Sequence, residues 1–586
     1  MRLAICIILV LICFKKNLYA RNETASDRTT VQGTVYHDRN GNGRRDDGEP
    51  GVGGACVSNG KEVVRTGRDG RYELPAYERM AVTVTNPDGY AAPLNGKNVP
   101  QFFYIHQPAG SPEEIKEYAG LEPTGPLPEE INFPLVKSPM KKRFRMIITG
   151  DTQVYSDQEI DLLRKSLVRE IAQQNYGAVG IICMGDNIGD KLALYPRYLS
   201  VMAELNLPLW LVPGNHDINF DAESPGYAFE TFKREYGPTY YSFNRGDVHF
   251  ITLNNVLYPS AREGRKTYHG EIDSVQMEWL ENNLSFVPKD RLIVLSMHIP
   301  LVSYVDRKSP ENMVKNRTDI YKLLEGRKVV SLGGHTHTLE NHLPGEEYEG
   351  WGQVTPIRQV VVGAACGSWW SGDLDDEGVP MSYQRLGAPK GYMIWEFDGS
   401  RYESRYKAVG KSPDRQMHLS FLTPAFEAWY GKIWEWVSRD KESRSSQPPV
   451  SINDLPDQQT VSRKELDKTE LVVNVWNGTR DSKVRVVFDT DTVLAKRTTE
   501  ICDPYVLRLQ SYVYRYGSGF EMFDGRVFGP AAPQPLEGWL HARSSSHIWV
   551  SDLPGNLEEG VHRLDVIAEG VSGETYRESL VFEVVE

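Results

Sequence analysis

Short apolar, β-branched runs recur through the middle of the chain, at 146–148, 179–183, 209–212, 292–295 and 329–332, and each stops at a polar block. A fully buried strand excludes charge along its length but admits it at its end, so this pattern predicts parallel strands whose tips carry the chemistry. Between the runs the period becomes helical. Ser156 with Glu159 forms a capping box ahead of Ile160, Leu163, Leu167 and Ile171, and Asp273 with Gln276 opens a second helix carrying Met277, Leu280 and Leu284. On both sides of this α/β centre the pattern alternates, as in Gly33-Thr34-Val35-Tyr36, Leu471-Val472-Val473-Asn474-Val475 and Val581-Phe582-Glu583-Val584-Val585. That period predicts all-β flanks. The stretch 426–437 has aromatic residues at helical spacing, followed by a Ser-, Pro- and charge-rich linker.

The polar blocks that follow the apolar runs are Asp151-Thr152-Gln153, Gly185-Asp186-Asn187-Ile188-Gly189-Asp190, Gly214-Asn215-His216-Asp217, Met297-His298-Ile299-Pro300 and Gly334-His335-Thr336-His337. They bring together carboxylate, amide and imidazole groups without a thiolate. That set suits borderline divalent ions such as Mn, Fe, Zn or Co rather than a sulfur-bound structural zinc.

In order and spacing, over roughly 143–408, the blocks resemble the calcineurin-like metallophosphoesterases, whose pattern runs D-x-H, G-D-x-x-D, G-N-H-D/E, H-x-P and G-H-x-H. The resemblance implies an α/β/β/α four-layer sandwich with two ions. Asp186 would bridge them, Asp151, Gln153 and His337 would hold the first, and Asn215, His298 and His335 the second. It also implies that His216 serves as the acid, with Asp190 as its orienting carboxylate, and that a metal-bridging hydroxide hydrolyses a phosphomonoester or phosphodiester. The chain departs from the pattern twice: Gln153 stands where the family usually has His, and the later Asp of the second block is displaced by one position to Asp190.

Two further features carry chemistry. In the loop from Asp38 to Glu49, Asp38, Asn40, Asn42, Arg44, Asp46 and Glu49 fall at the ligand positions of a calcium loop, with Gly43 at its sharp turn. The same residues would also make a polar hairpin. Trp369 and Trp370 follow the last metal block, either as a wall for a substrate ring or as core. Lone histidines at 249, 269 and 342 are read as structural or exposed.

Composition is that of a soluble globular protein of 586 residues, long enough for several cores. The formal charge of −13, or −16 without Arg2, Lys15 and Lys16, argues against a nucleic-acid or anionic-membrane surface. Those three cations belong to an N-terminal stretch whose apolar run at 3–14 is too short to span a bilayer and reads as a secretory signal ending near Ala20. No later segment is apolar enough to span. Cys56, Cys183, Cys366 and Cys502 are scattered and read as unpaired thiols.

The expected organisation is a signal at 1–20, an immunoglobulin-like β-sandwich with the calcium loop at 21–137, the phosphoesterase domain at 141–409, a helix and linker at 410–465, and a second β-sandwich at 466–586. Flanking sandwiches of this kind resemble those of secreted bacterial phosphoesterases. The expected substrate is a phosphorylated small molecule, lipid or glycan met outside the cell or in the periplasm. The competing reading is a surface module that binds glycans or proteins and carries a weak metal site.

Overall fold

The computed structural model describes residues 29–139, 141–259, 267–307, 309, 311–439, 449–451, 454–488, 491–511, 542–570 and 572–586. The expected signal at 1–20 and most of the polar linker after 439 lie outside the described residues.

Two sheets make the centre. In the five-stranded one, Leu209–Leu211, Ala178–Cys183 and Arg143–Thr149 run parallel, and Gly391–Asp398 and Arg401–Ala408 complete it antiparallel. In the six-stranded one, Val248–Thr252, Leu292–Ser296, Lys328–Gly333 and Arg358–Val362 run parallel between antiparallel edges at Tyr241–Arg245 and Leu339–His342. Every apolar run read from the sequence lies on or next to one of these parallel strands, and their ends face one region.

Pleating divides the six-stranded sheet between two cores. Phe250, Val294, Val330 and Leu332 join Met146, Ile148 and Tyr406 in the main cluster. Ile251, Ile293 and Leu295 instead pack with Trp279, Leu280 and Leu284 of the helix Ser274–Ser285 and with Ile320 of the helix Arg317–Leu323. Alternate residues of one strand point to opposite faces, so Val248–Thr252 and Leu292–Ser296 each serve both cores.

Helix caps follow the sequence signals. Ser156 Oγ accepts the Glu159 N–H at 3.2 Å, and Asp273 Oδ1 accepts that of Gln276 at 2.9 Å. The first helix is less regular than its stripe predicts, because Asp157–Leu163 and Arg169–Gln174 are joined by a π-turn at Arg164–Val168. Ile160, Leu163, Leu167 and Ile171 remain buried across that turn.

The N-terminal region forms two four-stranded sheets, one centred on Thr30–His37 and Phe133–Lys137, the other on Cys56–Ser58 and Met80–Thr85. Its interior is continuous with that of the centre, since the Phe102 ring lies 5.4 Å from Trp210 and 4.9 Å from Tyr241. The C-terminal sheets are built on Glu470–Val475 with Ile548–Asp552, and on Gly560–Glu569 with Thr575–Val585, around a core of their own. Met417–Leu422 pairs with Glu470–Val475, and Thr460–Ser462 with Thr575–Val585, so the segment expected to hold only helix and linker supplies two strands. The alternation of Met417, Leu419 and Phe421, all buried, is the pattern responsible. The helix read at 426–437 is present as Pro424–Val437 and buries Phe426, Trp429, Ile433 and Trp436.

Candidate metal centre

The loops beyond the strands ending at Thr149, Cys183 and Gly333 turn under backbone strain. Asp151, Gln153, Asp186, Asp190, His335 and His337 all have positive φ, between 33° and 73°. Each such residue costs on the order of 1–3 kcal/mol and persists only where its surroundings enforce it. Close contact between loops is the enforcement here. A Cβ on Gly214 would lie 2.0 Å from the Asp186 backbone nitrogen, so only glycine lets the third block lie against the second.

Asp186 stands in the middle. Its Oδ1 accepts the His216 N–H at 2.9 Å, and its Oδ2 lies 3.2 Å from His298 Nε2. His298 Nδ1 meets the Met184 carbonyl at 2.8 Å, which commits that nitrogen to donation. Its Nε2 then faces Asn215 Oδ1 at 3.0 Å as well as Asp186, so three electron-rich atoms converge. A proton or a metal ion among them satisfies all three. Burial opposes a protonated His298, but Asp186 and Asp151 outweigh it and push the imidazole up to about 9. Ligand atoms of Asp186, His298 and His335 lie within 4.8 Å of one another.

The other half of the site is built the same way. Asp151 accepts the His335 N–H on both oxygens, at 2.9 and 3.0 Å, and its Oδ1 lies 3.7 Å from His337 Nε2. His337 Nδ1 donates to the Gly367 carbonyl at 2.6 Å and leaves Nε2 for the site. Gln153 donates its backbone N–H to the Asp186 carbonyl at 2.7 Å and its side-chain amide to the Tyr155 hydroxyl at 3.0 Å. Burial lowers His335 to about 3 and His337 to about 4, so both imidazoles are neutral at physiological pH, with a lone pair free for a cation. Burial also raises Asp151, with the Asp186 charge adding to it; for Asp186 the same burial is outweighed by His298 and His216, which hold it well below the carboxylate range. Buried titratable groups perturbed in this way cluster at functional sites.

His216 stands at the mouth. Its Nδ1 lies 2.8 Å from Asp190 Oδ1, and the Asp190 N–H returns to the His216 carbonyl at 3.1 Å. The displaced Asp190 therefore does reach the imidazole. Burial disfavours the His216 cation, but Asp186 and Asp190 overcome it and raise its affinity for a proton.

The tryptophan pair divides. Trp369 stacks on His337 with centroids 4.4 Å apart, whereas Trp370 is buried and donates its indole N–H to the Thr152 carbonyl at 3.1 Å. Burial and this bond fit the core reading for Trp370, one of the two open for the pair. In the N-terminal loop, Asp38 accepts from Gly41 and Gly43 at 2.7 and 2.8 Å, while Glu49 accepts from Arg39 and Asp46 at 2.7 and 3.1 Å. Asp46 takes the side-chain amides of Asn40 and Asn42, both at 2.7 Å, and the Arg44 side chain is exposed.

Of the lone histidines, His249 is buried between Asn244 and Asn283, each 2.8 Å away, and His269 meets Glu271 at 3.0 Å. His342 ends the strand Leu339–His342 and is held between buried Glu340 and Glu346. Cys56, Cys183, Cys366 and Cys502 are all free.

Sequence reasoning quoted Asp217 but assigned it nothing. In the fold its buried carboxylate accepts from Gly214 N (2.8 Å), Ile188 N (3.1 Å), Asn187 Nδ2 (3.0 Å) and the Tyr195 hydroxyl (2.6 Å), tying the second block to the third. An acidic residue directly after the Asn-His pair was the available signal.

Comparison with known proteins agrees with this geometry. Residues 144–339 match the family described as "Calcineurin-like phosphoesterase", 39–119 its "N terminal" and 360–576 its "C terminal". The chain belongs to the calcineurin-like phosphoesterases. The flanking regions of this phosphoesterase are thus recognised together with its centre. Among curated proteins it is similar to "Purple acid phosphatase 15" of Arabidopsis thaliana, 27% identical over 23% of this chain and 25% of that one. It is also similar to "Serine/threonine-protein phosphatase CPPED1" of Homo sapiens, 30% identical over 22% and 42%. The chain therefore spans less than half of either relative. A solved purple acid phosphatase from yellow lupin covers 61% of this chain and 67% of its own, at 15% identity and a TM-score of 0.32. No helix among the described residues is long and apolar enough to cross a membrane.

Proposed function

We propose that this phosphoesterase hydrolyses phosphate esters at a pair of divalent transition-metal ions, held where the parallel strands of two sheets end in an α/β/β/α sandwich. The observation that carries the reading is the convergence of His298 Nε2, Asn215 Oδ1 and Asp186 Oδ2, three acceptor atoms that a divalent cation satisfies together. The donor set of carboxylates, amide oxygens and neutral imidazoles fits Mn, Fe, Zn or Co. Asp186 would be shared between the ions, Asp151, Gln153 and His337 would hold one, and Asn215, His298 and His335 the other.

When bound, such ions polarise phosphoryl oxygens and supply an attacking oxygen at neutral pH. The chain's own residues orient and protonate. The Met184 and Gly367 carbonyls fix the two imidazoles with Nε2 inward, and Asp190 holds His216 by Nδ1, leaving Nε2 to donate a proton to the departing alkoxide. This chemistry serves monoesters and diesters alike.

Two further elements of the reading rest on sequence. The N-terminal apolar stretch supports action outside the cell or in the periplasm, on a phosphorylated small molecule, lipid or glycan. The spacing of Asp38, Asn40, Asn42, Asp46 and Glu49 supports a structural calcium ion far from the reaction.

The test is a panel of monoesters, diesters and pyrophosphate with metal-stripped protein resupplied with Mn, Zn or Fe, against Asn215→Ala. Metal-dependent turnover that the substitution removes is expected. Turnover no greater than that of Asn215→Ala with every ion would overturn the reading in favour of a binding module.

A further inference from the structure

Tyr155 joins the two places where the chain departs from its family's pattern. Its hydroxyl lies 3.0 Å from Gln153 Nε2. Its ring lies flat against Gly189, where a Cβ would come within 2.6 Å of three ring carbons, and its edge meets the His216 imidazole at a centroid distance of 6.0 Å. The ring is fixed from behind as well, because the Tyr155 N–H donates to Glu159 Oε2 at 2.6 Å and Gly189 N–H donates to the Val154 carbonyl at 2.9 Å.

A glutamine at a metal position poses a problem that histidine does not. Its two ends are nearly isosteric, but only the oxygen binds a cation, and the terminal amide torsion is broad and roughly two-fold. A partner is needed to hold the NH2 end away from the ion. At the opposite end of the amide stands the buried Cys366, whose Sγ is 3.9 Å from Gln153 Oε1, too weak an anchor to fix it. The hydroxyl of Tyr155 is the group placed to accept the NH2.

The insertion of Gly189 between Ile188 and Asp190 has a matching explanation. A side chain at 189 would collide with the ring, so the glycine admits Tyr155 while Asp190, one residue later at a φ of 65°, still reaches His216. We infer that Tyr155 is a positioning residue that aims the Gln153 amide oxygen at the metal centre, and that Gln153, Tyr155 and Gly189 form one interdependent unit. This rests on the metal-centre reading above.

The test is manganese(II) binding to the metal-stripped full chain, by calorimetry and elemental analysis, for the unaltered protein, Tyr155→Phe, Gln153→His and the double variant. Phenylalanine keeps the ring against Gly189, so folding is preserved. Tyr155→Phe should leave one ion tightly bound and weaken the other by about 10- to 100-fold, the range for a group that orients a ligand. With His at 153 the same change should alter affinity by about twofold or less, because imidazole has no amide to orient.

An unchanged isotherm for Tyr155→Phe would overturn the inference and leave the metal centre standing. Equal weakening in both backgrounds would overturn it by showing a packing role. Absence of binding of manganese, zinc and iron alike by the unaltered protein would overturn both this inference and the proposed function.

Discussion

The pairing of His216 with Asp190 can be put to a sharp kinetic test through Asp190→Asn. The substitution keeps the size of the side chain and removes its charge, leaving the 2.8 Å contact to His216 Nδ1 without its ionic component. Hydrogen bonds to charged groups contribute about 1.5–3 kcal/mol. With the Asp190 side chain 42% exposed, solvent screening puts this one at the lower end, about 1.5 kcal/mol, or roughly tenfold in rate. The loss should appear only where the leaving group needs a proton. Steady-state kinetics on an alkyl ester should show kcat down about tenfold, while a nitrophenyl ester, whose phenolate departs unaided, should change by about twofold or less. The alkaline limb of the rate profile on the alkyl ester should also move to lower pH, since the protonated imidazole has lost one of the two carboxylates that raise its affinity for a proton. Equal losses on both esters, or an unmoved alkaline limb, would refute the assignment of His216 as a proton donor held by Asp190.

Three other outcomes are expected. Asp217→Ala leaves the Gly214 and Ile188 N–H groups and the Tyr195 hydroxyl buried without their acceptor, and should cost about 3–5 kcal/mol in urea unfolding as well as loosening the metal site; a cost under about 1 kcal/mol would contradict the hub described for it. His342 is pushed up to about 9 because contacts with Glu340 and Glu346 outweigh its burial. Its folded value thus exceeds the unfolded one, so it contributes on the order of 3 kcal/mol below pH about 6.5, lost as pH rises through about 9; urea midpoints across that range should fall in the unaltered protein and stay level in His342→Gln. Calcium added to chelated protein should raise the unfolding temperature, and Asp38→Ala should abolish the rise; identical melting of both proteins with and without calcium would leave the loop a hairpin.

The strands that end at the site were legible because full burial leaves a plain mark, an uninterrupted β-branched run followed by a polar block. The grouping of candidate site residues was legible for the same reason: Asp186, His298 and His335 stand at strand tips with no apolar face to share, and the fold brings them within 4.8 Å of one another. What hid was anything decided by backbone groups. Asp217 looks like any acid until the N–H donors of two loops converge on it, and the wall and core readings of Trp370 stay level until its indole meets a carbonyl more than two hundred residues away. Met417–Leu422 carried its alternation openly, but the neighbouring aromatic helix and linker drew the whole segment into one reading.

The contact of Phe102 with Trp210 and Tyr241 has a bearing on how the protein can be handled. Cutting the gene at the boundary near residue 138 would not free an autonomous enzyme. It would lay bare a greasy flank on each fragment, and both pieces would be prone to clump; a cut beyond the last central strand would do likewise, because Trp476 sits in the central core and Val506 packs on Tyr383.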